Sequence, residues 1–288
     1  PLAEGDRIVY SYFYPCRRCD PCLANATHHC ESRRIGAGRS QSDKPPHFTG
    51  AYAEYFYLRP GHFVLRTPDH LNDRVVAPLN CALAQVIYGL GQVDLSAGEY
   101  VVIQGAGGLG LYATAVAREA GATNIVVLDK RQDRLALAKE FGADHVLNVD
   151  DFESPEQRVE AVADLTGGGG HVVAELVGHP SVLTEGLQMA RNEGRYLVIG
   201  NISHKHTIPF NPSWLVHQNR RMVGVGGYQA WSLRRGLELL QRNGDRYPFE
   251  KVLSQLYPIA EINSAFAEAD KGTAIRTGMV CDPKLAQI

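Results

Sequence analysis

Residues 100–129 read YVVIQGAGGLGLYATAVAREAGATNIVVLD, and this stretch decides the fold. Val101, Val102 and Ile103 form an apolar run long enough for a buried strand and too short for a helix. Gly105, Gly107 and Gly110 follow at G-x-G-x-x-G spacing, with Gly108 and Leu109 inside the turn. An alanine-rich helix is expected over 111–120, stopped by Gly121. A second apolar run, 124–128, ends on Asp129. This order suits a dinucleotide. Its pyrophosphate must approach the backbone closely, which a side chain at Gly107 would prevent. The free N–H groups and partial positive charge of the helix start then bind the phosphates. A carboxylate at the tip of the second strand accepts hydrogen bonds from the adenosine ribose hydroxyls and repels a 2′-phosphate, so NAD is expected rather than NADP. The flanking strand, helix and acid separate this pattern from an isolated glycine motif. The alternative is a glycine-rich turn in another doubly wound domain. Lys130 and Arg131, beside the acid, bear on the choice of cofactor.

Working outward, the strand–helix alternation continues. Helices are expected over 132–141, 155–166, 180–190 and 212–218, with strands over 145–149, 171–176, 195–199 and 222–225. That makes six strands of a doubly wound parallel sheet. Gly178 and Gly200 follow strand ends, where the ligand binds in such sheets, and both are candidates for the nicotinamide half. Ordinary turn glycines are the competing reading. Before the sheet come short strand candidates at 51–58 and 62–65, a loop over 33–49 and a helix over 73–90. After it come helices over 231–243 and 261–269, then a last strand over 273–281 that holds Arg276.

Four of the six cysteines, Cys16, Cys19, Cys22 and Cys30, stand at C-x2-C-x2-C-x7-C spacing. Clustered thiols in a cytosolic chain indicate a metal more often than disulfides. Four thiolates close a tetrahedral zinc completely and leave no position for substrate, so the expected Zn2+ is structural. Arg17 and Arg18 would offset its surplus negative charge. An iron–sulfur cluster is the alternative, although the bacterial ferredoxin run has a shorter last gap and a following Pro. His28 or His29 could also replace Cys30, though both read as solvated loop residues. On composition alone, Cys81 among Leu, Ala and Val reads as a buried small hydrophobe, and Cys281 as a core residue.

The chain has 288 residues, enough for two domains with their own cores. A formal net charge of −2 removes the basic excess that nucleic acid or an anionic membrane would call for. No apolar run approaches a membrane span and no signal-peptide pattern opens the chain, so a cytoplasmic protein is expected. The chain starts abruptly on Pro1 at the edge of a strand, as if a segment upstream were missing.

Together these features resemble the zinc-dependent medium-chain dehydrogenase/reductase family, the zinc alcohol dehydrogenases. The likeness rests on EGDRIV at 4–9, the four-cysteine lobe, GAGGLG at 105–110 with its acid, Gly226-Gly227, PIAEINSAFAEADKG at 258–272 and Ile275-Arg276-Thr277. It implies a doubly wound Rossmann sheet over 85–227. A split, mainly β, GroES-like catalytic domain would take 1–84 and 228–288. It also implies an NAD-dependent oxidoreductase that interconverts an alcohol and an aldehyde or ketone, as a homodimer or homotetramer. By the same resemblance Cys81 matches the third ligand of a catalytic zinc, Arg134 the basic residue reaching the adenosine ribose, and Arg276 the arginine on the pyrophosphate. For the arginines, composition alone favours surface charge. The family's other two catalytic ligands, a Cys and a His in a G-H-E context, would precede EGDRIV, and no G-H-E occurs between Pro1 and Ile288. These 288 residues are therefore expected to bind cofactor without turning over alcohol. A zinc-independent enoyl or quinone reductase, and a non-catalytic dinucleotide-binding module, are the competing functions. The cysteine lobe and Asp129 argue against the reductase.

Overall fold

A computed structural model describes residues 2–34, 43–45, 47–48, 50–200, 206–284 and 286. The loop expected over 33–49 thus lies largely outside the described residues. Ile8–Tyr10 (β1) pairs antiparallel with Val64–Arg66 (β2), with Val9 opposite Leu65. Between them a short α-helix, Asp20–Leu23 (α1), has Pro21 in its first turn, where the missing N–H costs nothing, and 3-10 turns follow at Thr27–His29 and Glu31–Arg34. The strand expected over 51–58 does not form. Those residues are irregular, and Tyr52, Tyr55 and Tyr57 are exposed. Aromatic content favours a strand only where a partner completes the ladder, and none is present among the described residues.

The helix expected over 73–90 is broken. Asp73–Val76 (α2) is capped by Asn72, whose Oδ1 accepts from Val75 N at 3.0 Å. Pro78, which has no N–H to continue an α register, then precedes a π-helical turn at Leu79–Leu83, and Ala84–Gln92 (α3) resumes the α form. Against the expectation that no run approaches a span, Asp73–Gln92 is long and apolar enough to cross a membrane by length and composition. Yet 61 % of its apolar window is buried inside the protein, as in a core helix.

A sheet of six parallel strands follows. Its elements are Tyr100–Gln104 (β3), Gly108–Glu119 (α4), Asn124–Asp129 (β4), Gln132–Glu140 (α5), His145–Asn148 (β5) and Pro155–Thr166 (α6). They continue with Gly170–Glu175 (β6), Val182–Met189 (α7), Ala190–Val198 (β7), Ser213–Val216 (α8) and Arg221–Gly224 (β8). The spatial order is β5-β4-β3-β6-β7-β8, so strand order reverses between β3 and β6. Both faces of the central strands are covered. Val101, Val102 and Ile103 are fully buried, as are Ile125 to Val127, which is why these strands read as continuous apolar runs. Val102, Val126, Val173, Leu187 and Tyr196 form one core cluster. Each buried aliphatic side chain there contributes about 1.5–3 kcal/mol.

The chain closes with Ala230–Asn243 (α9), Gln255–Pro258 (β9), Ile262–Asp270 (α10) and Thr277–Val280 (β10), the two strands pairing in parallel. β9 was not expected; its four residues carry too short a pattern to read. The last strand is shorter than expected and excludes Arg276. That residue lies in coil just before β10, its carbonyl accepting from Ser254 N at 3.0 Å and Gln255 N at 3.3 Å. Cys281 sits just past β10, half-buried rather than in the core.

The chain divides into two compact units. One comprises Pro1–Ala84, Gly227–Gly244 and Phe249–Ile288; the other comprises Gln85–Gly226 and Asp245–Pro248. Asp245–Pro248 belongs with the sheet because Arg246 and Tyr247 both bond Glu119 Oε1 on α4, at 2.7 and 2.8 Å.

Candidate cofactor and metal sites

Three glycines shape the turn after β3 for different reasons. Gly105 has φ +97°, in the left-handed region, and a β-carbon there would meet the Leu176 backbone at 3.2 Å. Gly110 lies inside α4, and its hydrogen faces the carbonyl oxygen of Gly105. Gly107, the N-cap of α4, has an ordinary φ of −74°. The nearest atom to a β-carbon built on it is Arg134 Nη1, at 3.9 Å. Packing therefore does not demand glycine at 107, while a ligand lying on the turn would. No side chain caps the helix start and no acid lies in its first turn. The first N–H groups of α4, those of Gly108, Leu109 and Gly110 among them, are the orphan donors that a helix leaves at its start.

Asp129 closes β4 and braces this turn. Its Oδ2 accepts from Ala106 N at 2.7 Å, and its Oδ1 accepts from Arg131 N at 2.9 Å. The guanidinium of Arg131 is turned to Asp133, at 2.7 Å. Arg134, on α5, reaches the glycine turn, as its distance from Gly107 shows.

Gly178 and Gly200 meet at the ends of β6 and β7. Gly178 has φ +86°, and a β-carbon on Gly200 would stand 2.6 Å from Gly178 N. Glu175, which sequence reading passed over, is fully buried at the end of β6 and accepts from Val177 N and Gly178 N. An acid closing an otherwise apolar run was its only signal.

The sulfurs of Cys16, Cys19, Cys22 and Cys30 all lie within 4.8 Å of one another. Tetrahedral zinc with Zn–S near 2.3 Å needs sulfurs about 3.8 Å apart, so the four residues fit that ion. The lobe folds back through left-handed residues Arg17 and Asn25 (φ 61° and 60°). Cys30 itself supplies the fourth sulfur, which removes His28 and His29 as replacements. His28, expected to be solvated, is instead buried, its ring beside that of His29 and its β-carbon near Gly227. The Arg18 backbone N–H chiefly lowers the Cys16 thiol to about 6, while burial and then neighbouring Cys19 push Cys22 up to about 12. One thiolate forms readily, and a bound cation would draw the remaining protons off.

Cys81 is exposed on the π-helical turn, not buried as composition suggests. No second group of three or more His, Cys, Asp or Glu ligands comes together among the described residues. Those residues alone do not fit a second zinc. Arg276 belongs to the first unit, with the cysteine lobe.

A dinucleotide turn at the switch point of a parallel sheet, in one chain with a closed four-thiol lobe, defines a zinc-binding oxidoreductase that uses a nicotinamide cofactor. The zinc-binding dehydrogenase family profile matches residues 108–242. 5-exo-hydroxycamphor dehydrogenase of Pseudomonas putida is 30 % identical over 280 residues, covering 96 % of this chain and 75 % of that protein. A probable alcohol dehydrogenase of Mycobacterium tuberculosis is 32 % identical over 258 residues, covering 87 % and 69 %. The solved alcohol dehydrogenase of Thermotoga maritima superposes with a TM-score of 0.88 at 30 % identity, covering 95 % of this chain and 75 % of that one. The chain belongs to the zinc-dependent medium-chain alcohol dehydrogenases, enzymes that interconvert alcohols and carbonyl compounds.

Proposed function

We propose that this chain supplies the NAD site, with NAD favoured over NADP, of an enzyme that oxidises a small-molecule alcohol or reduces the matching aldehyde or ketone, and that these 288 residues alone bind the cofactor without turning over alcohol. Gly107 carries the reading: it is glycine where packing leaves room for a side chain, on the turn where pyrophosphate would lie. The start of α4 would hold the phosphates and Arg134 would flank them. Asp129, already oriented by two backbone N–H groups, would take the adenosine ribose and repel a 2′-phosphate. The pairing of Arg131 with Asp133 supports the same preference, because it occupies the arginine best placed to attract that phosphate. Bound NAD+ supplies the acceptor for the hydride of the alcohol. The four thiols of Cys16, Cys19, Cys22 and Cys30 would hold a structural zinc that crosslinks their lobe. By the family likeness Cys81 is read as one ligand of a second zinc, although no further ligands gather with it among the described residues. Arg276 is read as a pyrophosphate contact.

The free-thiol lobe supports a reducing, cytoplasmic setting. A homodimer or homotetramer is proposed from the family likeness, and light scattering distinguishes either from a monomer. The cofactor reading is tested by titrating the protein with NADH and NADPH. Binding of NADH at least tenfold tighter is expected, about 1.4 kcal/mol; equal affinities would overturn the preference.

A further inference from the structure

Glu175 holds the exits of two strands at once. Its backbone carbonyl accepts from Ile199 N at 3.2 Å and Gly200 N at 3.1 Å, where β7 ends. Its side-chain Oε1 accepts from Val177 N at 2.8 Å and Gly178 N at 2.6 Å, where β6 ends. Fit is close around that oxygen: a β-carbon on Gly200 would stand 2.9 Å from it. The side chain has no exposed surface, and Oε2 has no hydrogen-bond donor among the described residues. A buried acid satisfied on one oxygen alone is a poor choice for a core, where an apolar residue packs without desolvation cost. Departures of this kind gather where a site must be held in shape.

The strand order says which part of the site is held. β4, with Asp129, lies on one side of the reversal between β3 and β6; β6 and β7 lie on the other. A dinucleotide with its pyrophosphate on the glycine turn and one ribose at Asp129 extends its other half across the ends of β6 and β7. We infer that Glu175 is a positioning residue for the nicotinamide half, shaping Val177, Gly178 and Gly200 into the backbone floor on which it rests. This rests on the NAD reading above and concerns only the sheet-bearing unit.

The test compares NADH, which has both halves, with ADP-ribose, which lacks the nicotinamide, by calorimetric titration of wild type, Glu175→Ala and Glu175→Gln. The alanine variant should bind NADH roughly tenfold or more weakly, because preorganisation is lost, while ADP-ribose affinity stays within about threefold. Glutamine keeps a carbonyl oxygen for Val177 N and Gly178 N, so it should restore NADH binding to within about threefold of wild type. Unchanged NADH binding by the alanine variant would overturn the inference. So would equal losses for both ligands, which would make Glu175 a support of the whole domain, and so would a glutamine variant as weak as alanine. If the alanine variant does not fold, Glu175→Asp, which withdraws the acceptor by one methylene, must show the same selective loss. Failure of wild type to bind either ligand would instead refute the NAD reading, and the inference with it.

Discussion

A β-carbon added to Gly110 would stand 1.8 Å from the carbonyl oxygen of Gly105. No rotamer relieves that overlap, since both atoms belong to the backbone frame of the turn. Gly110→Ala should therefore cost about 3 kcal/mol or more, the range of severe local strain and overpacking. Gly107→Ala meets nothing nearer than 3.9 Å. It should melt within about 2 °C of wild type yet bind NADH at least tenfold more weakly, about 1.4 kcal/mol. Thermal melts with NADH titrations on the two variants check this split. Loss of stability without loss of binding in Gly107→Ala would contradict it.

Replacing Asp129 separates its two tasks. Asp129→Asn keeps one carbonyl oxygen for either Ala106 N or Arg131 N but loses the charge. Stability should fall by about 1–2 kcal/mol, for one backbone donor left poorly satisfied. The ratio of NADPH to NADH dissociation constants should fall about tenfold, as repulsion of the 2′-phosphate is lost. Parallel titrations of both cofactors give the ratio directly.

Chelation, or Cys16→Ser, should remove one zinc per chain as measured by elemental analysis, because three thiolates no longer close the ion. The melting temperature should fall, since the ion's binding energy stabilises the lobe only while it is bound. NADH affinity should stay within about threefold, because the glycine turn lies in the other unit. Cys81→Ser should leave this zinc in place.

Burial, and then the charge of Arg191, holds the His171 imidazole below its ordinary range. Its Nδ1 accepts from Tyr100 N at 3.0 Å, a bond that only an unprotonated Nδ1 can take. The folded state thus binds fewer protons than the unfolded one. Stability is complete above about pH 6.5 and falls as the pH drops below it, by at most about 1.4 kcal/mol per pH unit for this group. Denaturant melts between pH 7.5 and 5 should show a shallower decline in His171→Gln than in wild type.

The six-stranded sheet was legible for a local reason. Parallel strands buried on both faces are apolar throughout, and helices between them announce their ends with residues such as Ser154 and Gly167. The first unit was less legible. Ala51–Leu58 has the composition of a strand and no partner strand among the described residues, while Gln255–Pro258 has little signal and gains a ladder only because Thr277–Val280 lies beside it. Of the candidate site, the glycines, Asp129 and the four cysteines could be named because spacing along the chain carries their chemistry. Glu175 could not, since its role depends on Gly178 and Gly200 arriving from different strands.

By itself, the sequence determined the chemistry that chain-local spacing encodes: a phosphate turn opening a helix, an acid closing the next strand, and four thiols within one short lobe. Tertiary structure decided what depends on distant neighbours. It turned Cys81 outward on a π-helical turn after Pro78, buried His28 against Gly227, and set Glu175 across two strand exits. The physical reason is range. Helix starts, turns and thiol spacing are fixed by interactions over a few residues, whereas burial and hydrogen-bond partners are fixed by which segments pack together.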